Sequence, residues 1–64
     1  MFTIKNLIMK DGTTVFNCEN YAEKYDFIVA RNSDGEWWFW GAWNDEAEAT
    51  KAADEVGGRV FRRA

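Results

Sequence analysis

The first groups to weigh for chemistry in this chain are one thiol, Cys18, and eleven side-chain carboxylates, with no histidine to activate either. A nucleophile or a general acid needs a positioned partner to take or give its proton. Cys18 has none in the sequence around it and reads as a small core hydrophobe. The carboxylates fall in turns or on the polar side of a helix, with no motif about them. One cysteine excludes an internal disulfide, and the lack of histidine excludes a zinc cluster of the usual kind. No cofactor is implied and catalysis is not expected. The chemistry left to this chain is recognition.

Recognition needs rings and cations, and the rings are concentrated. All four tryptophans lie between positions 37 and 43, in Glu36-Trp37-Trp38-Phe39-Trp40-Gly41-Ala42-Trp43. Aromatic residues fit a pleated surface, so a run of this length after a turn predicts a strand. The turn is Asn32-Ser33-Asp34-Gly35, and the apolar run Phe27-Ile28-Val29-Ala30 before it completes a β-hairpin. With Ser33-Asp34-Gly35 as a three-residue loop, Arg31 faces Trp37 and Ile28 faces Trp40. Alternation then puts Ile28, Ala30, Trp38 and Trp40 on one face. The other carries Phe27, Val29, Arg31, Trp37, Phe39 and Trp43. Both faces are apolar, whereas a sheet with one wet side alternates.

The elements that must position these rings follow in order. Residues 2–9 and 13–19 predict a first hairpin about a two-residue Asp11-Gly12 turn. A bulge near Lys5-Asn6 would gather Phe2, Ile4, Leu7, Met9, Phe16 and Cys18 on the buried side. That leaves Thr3, Lys5, Ile8, Val15 and Asn17 outward. Residues 19–24 connect the hairpins, with a short helical turn at 21–24. Asp45 and Glu48 have capping-box spacing, and Ala49, Ala52, Ala53 and Val56 make the stripe of a buried helix face. Gly57 ends the helix, and residues 58–61 form a last strand before an Arg62-Arg63-Ala64 tail that is expected to fray. The fold class is α+β: a small antiparallel sheet of two hairpins and a short C-terminal strand, with one alanine-rich helix on one face. The order is β-β-β-β-α-β, in a single domain over residues 1–64.

One helix covers one face. The residues left over, Phe27, Arg31, Trp37, Phe39 and Trp43, are the candidate partner-binding set, with Arg31 over Trp37 as a cation–π pair. The opposite assignment stays open, because Gly41 shares the parity of Trp37 and Phe39 and a strand glycine can mark close approach. A 64-residue domain hides only about 60% of its unfolded surface, so a second copy covering the spare face is expected, as a homodimer.

Charge narrows the partner. The net charge is −3, and three of the eight basic residues are Arg59, Arg62 and Arg63 near the end of the chain. An acidic body disfavours duplex nucleic acid, whose affinity comes from phosphate neutralisation. The alternative function is therefore single-stranded nucleic-acid binding, with rings stacking bases and Arg31, Arg59, Arg62 and Arg63 holding phosphates. Asp45, Glu46, Glu48, Asp54 and Glu55 form a helix exterior that could meet a basic protein surface. No apolar run spans a membrane and no signal peptide is visible, so a cytoplasmic protein is expected.

In size, acidity and the outline of a sheet with an alanine helix, the chain resembles short single-domain proteins of phages and mobile elements, anti-CRISPR proteins among them. That resemblance implies inhibition of a host defence enzyme by binding, and it implies no particular residue.

Overall fold

The computed structural model describes residues 4–64. Strands β1 (Ile4–Ile8), β2 (Thr14–Glu19), β3 (Phe27–Ser33) and β4 (Glu36–Trp43) are followed by helix α1 (Glu46–Val56) and strand β5 (Arg59–Arg62). A 3₁₀ turn, Asn20–Lys24, joins the two hairpins. The α+β order is the one the sequence predicts. The sheet order is β1-β2-β4-β3-β5, and β2 runs parallel to β4, so the sheet is mixed rather than wholly antiparallel.

The two turns exchange their expected lengths. Ser33 pairs with Glu36, so the second loop is Asp34-Gly35 alone, with φ of 54° and 82°. Two left-handed residues match the twist of the flanking strands, and Asp-Gly supplies them cheaply. The first loop is longer. Met9 N–H donates to Thr13 C=O, leaving Lys10-Asp11-Gly12 between them, and the Asp11 carboxylate accepts from Thr13 N–H. Gly12 takes the left-handed position at φ 92°.

A one-residue change of loop moves every later pair to the other side of the sheet. Ala30 therefore faces Phe39, Arg31 faces Trp38 and Asn32 faces Trp37, with an irregularity between Val29 and Ala30 that leaves Trp40 unpaired. Ile28 and Ala30 share their face with Trp37 and Phe39, not with Trp38 and Trp40. In the first hairpin the bulge lies on β2 at Asn17, φ 60°, rather than on β1. Asparagine tolerates that conformation better than most residues. The extra residue turns Val15 and Cys18 inward and Phe16 outward, and it leaves Ile4 exposed, against expectation. Phe2 and Thr3 lie outside the described residues.

The spare apolar face is covered by the sheet itself. Met9 pairs with Arg63, and Lys10 N–H donates to Arg62 C=O at 2.7 Å, so the sheet curls until its two ends meet. Inside the curl lie Met9, Val15, Cys18, Ala22, Ile28, Ala30 and Phe61, with Leu7, Trp37, Phe39 and Ala42 packed on them. A second core forms outside the curl, where Ala49 and Ala53 of α1 press on Phe27 and Val29, flanked by Trp43, Val56 and Val60. Small side chains on the helix let its backbone approach the large rings opposite. Residues 62–63, expected to fray, are tied down: Arg62 belongs to β5, and Arg63 donates through Nε to Tyr25 C=O at 2.7 Å.

Helix α1 starts and stops where the sequence places its signals. The Asp45 carboxylate accepts from Ala47 N–H and Glu48 N–H, and Gly57 closes the helix at φ 68° while Gly58 N–H donates to Ala53 C=O. Asp45→Ala is expected to cost about 1 kcal/mol. In a domain of this size that is a fall of about 4–8 °C in Tm, read by thermal denaturation; an unchanged Tm would contradict the cap.

Candidate functional site: the outer face of β2 and β4

Helix α1 covers the outer surface of the curl over β3 and β5 and leaves β1, β2 and most of β4 open. The alternation just described places Phe16, Trp38, Trp40 and Arg31 together on this open side. Val15 pairs with Trp37 and Phe16 with Trp38 across the parallel β2–β4 contact. The Phe16 and Trp38 rings meet at 5.4 Å, tilted by 40°. Trp38 Nε1–H donates to Ser33 C=O at 3.4 Å, which satisfies its one polar atom. The Arg31 guanidinium lies over the Trp40 ring, 5.7 Å from its centre. This cation–π pair was expected with Trp37 and is formed with Trp40, because the shorter turn moves Arg31 to the outer rings.

Trp40 is 49% exposed, more than any other described tryptophan. Its bulge position explains this: it has no partner on β3 and stands clear of both cores. On the same side of β1, Ile4 and Ile8 are exposed. Beside Trp40, at the hairpin end of the strands, is an open hollow of about 580 Å³. Its lining includes Arg31, Ser33, Asp34, Glu36, Trp38 and Trp40. Rings, one guanidinium and two carboxylates therefore share one concave patch.

The residues singled out from the sequence are dispersed. Trp37 is inside the curl, its ring edge-on to Phe61 at 5.0 Å. Phe39 packs on the same core, with Tyr21 against it at 6.0 Å. Phe27 and Trp43 are under the helix. Gly41 leaves the space that the Trp43 indole fills: a β-carbon built there would lie 2.7 Å from the ring. Of that set only Arg31 is on the open face. Phe16, Trp38 and Trp40 take the place of the others, and the signal that could have found them was the Asp-Gly pair, which favours a two-residue turn.

The remaining groups are elsewhere. Asp45 caps α1, and Glu46, Glu48, Asp54 and Glu55 are exposed along the helix. Arg59 lies over Phe61, Arg62 over Phe27 and Arg63 on the Tyr25 carbonyl, none of them in contact with the Trp38 or Trp40 ring. Cys18 is buried, its thiol set against Val15 C=O, and burial pushes its pKa above the usual thiol range. A protonated thiol out of solvent is not a nucleophile. Among the described residues, no helix is long and apolar enough to cross a membrane, and no group of three or more His, Cys, Asp or Glu is placed to hold a metal ion. No family model, curated protein or solved structure matches the chain.

Proposed function

We propose that this chain is a protein-binding module that acts by contact through the outer face of β2 and β4. The observation that carries the reading is the position of Phe16, Trp38 and Trp40 beside Arg31, on the part of the sheet that α1 leaves open. Tryptophan and arginine are the residue types that dominate binding energy at protein interfaces, and charged side chains such as Asp34 and Glu36 suit a rim. In its most specific form the module blocks a larger enzyme in the cytoplasm, such as a host defence enzyme, by occupying its surface. The small acidic body and its resemblance to phage and mobile-element inhibitors support that form. The nucleic-acid alternative keeps Arg31 beside the Trp40 ring, but Arg59 and Arg62 lie over Phe61 and Phe27 and Arg63 is on the Tyr25 carbonyl, and the net charge of −3 counts against it.

The test is comparative capture from nuclease-treated host extract with the wild-type chain and with Trp38→Ala/Trp40→Ala. A protein retained by the first and lost from the second, at low and high salt alike, supports the contact face. Equal recovery by both would contradict it.

A further inference from the structure

Two features of the open face fit each other rather than anything else in the chain. The first is a projection beside a hollow: the half-exposed Trp40 ring stands next to the concavity of about 580 Å³ at the hairpin end. The second is an unmade ion pair. Arg31, Asp34 and Glu36 line that one hollow, yet among the described residues the only ion pair is Lys5–Glu23. A two-fold axis converts both features into contacts, because an isologous interface sets each patch against its own copy.

We propose that a second copy of this chain seats on the outer face about a two-fold axis near Trp38, each Trp40 entering the other copy's hollow and each Arg31 meeting the other copy's Glu36. Along β4, Glu36 and Trp40 lie on either side of Trp38 on one face, and Arg31, opposite Trp38 on β3, carries its guanidinium over Trp40. An antiparallel approach of two such faces brings Glu36 of one copy to the Arg31 and Trp40 end of the other. The charges are self-complementary in that direction only; a parallel approach sets like against like.

Size agrees with this occupant. A standard interface takes about 800 Å² from each partner, close to a fifth of this chain's 4321 Å² surface. In a molecule of 28 × 27 × 24 Å that is one whole side. The open side of β1, β2 and β4 supplies it, with Ile4, Ile8 and Phe16 extending the apolar strip beyond the rings. The inference rests on the open face being a contact surface, and it adds that a target must compete with the second copy for Trp40.

The experiment is sedimentation velocity over a dilution series of four chains: wild type, Arg31→Glu, Glu36→Arg, and the double swap Arg31→Glu/Glu36→Arg. Far-UV circular dichroism and Tm check that each is folded. A wild-type dimer is expected, weakened about 30-fold or more by either single reversal and restored by the double swap. Wild type that stays monomeric up to about 1 mM, single reversals that leave the dimer intact, or a folded double swap that stays monomeric would each overturn the proposal. The two readings fail separately. A monomeric wild type that still captures a target through Trp38 and Trp40 sinks only the dimer. A dimer whose target capture ignores those rings sinks only the module.

Discussion

Trp37→Ala is expected to remove a large part of the fold's stability, whereas Trp40→Ala, three positions along the same strand, leaves the fold intact. Trp37 packs on the inner core edge-on to Phe61, and truncation empties space bounded by Phe61 and its neighbours. Large-to-small changes of a tryptophan in a core cost about 3–5 kcal/mol; Trp37 is half-buried, so the lower end applies. At about 0.05–0.15 kcal/mol per residue, a chain of 64 residues has about 3–10 kcal/mol to lose. Within one copy Trp40 gives up only a cation–π contact of about 0.5–1 kcal/mol with Arg31, so the comparison is made in dilute protein, below the range in which a second copy would bind. Urea unfolding followed by circular dichroism reads both. The midpoint should fall sharply for Trp37→Ala and move little for Trp40→Ala, and the reverse ranking would mean that the face assignment is wrong.

Gly58→Ala is expected to be more damaging than Gly41→Ala, the other close approach at a glycine. A β-carbon at Gly58 would lie 2.6 Å from the Ala30 carbonyl oxygen. That oxygen is backbone, in a strand held by pairing to β4 on one side and β5 on the other. Gly58 cannot retreat either, because its N–H donates to Ala53 C=O at 2.8 Å to finish the helix. Overpacking of this kind costs about 1–3 kcal/mol, and the fixed position of both partners places Gly58→Ala at the upper end. Gly41→Ala makes the comparison. Its new methyl meets the Trp43 ring at 2.7–2.8 Å, and a side chain can tilt where a ladder carbonyl cannot. Calorimetric Tm values should fall further for Gly58→Ala than for Gly41→Ala. Two small and equal shifts would contradict the close β3–β5 approach.

Local signals were legible in the sequence and long-range ones were not. Asp45, the alanine stripe and Gly57 place α1 because capping and periodicity act within a few residues. The hairpins are legible for the same reason. Their registers are not, because Ser33-Asp34-Gly35 satisfies a three-residue loop and Asp34-Gly35 a two-residue one, each ending in a left-handed glycine. The choice between them decides which indoles face water. Asn17 shows a second limit: its left-handed bulge turns Val15 and Phe16 over, and the only sign of it is that the residue is asparagine. The parallel β2–β4 contact and the Met9–Arg63 closure join distant segments and leave no local trace. Their one sequence correlate is the apolar character of both hairpin faces. That surplus has two outlets in the fold, the interior of the curl and the underside of α1, and Trp38 and Trp40 are what remains outside.

The most direct measurement of whether Trp38 and Trp40, rather than Trp37, form the exposed contact face is solvent relaxation of the four indole N–H resonances. It would be made in a dilute ¹⁵N-labelled sample with a soluble paramagnetic agent. Trp40 should broaden most, and the half-buried Trp37, Trp38 and Trp43 less. Stronger broadening of Trp37 than of Trp40 would contradict both the two-residue turn and the contact face built on it.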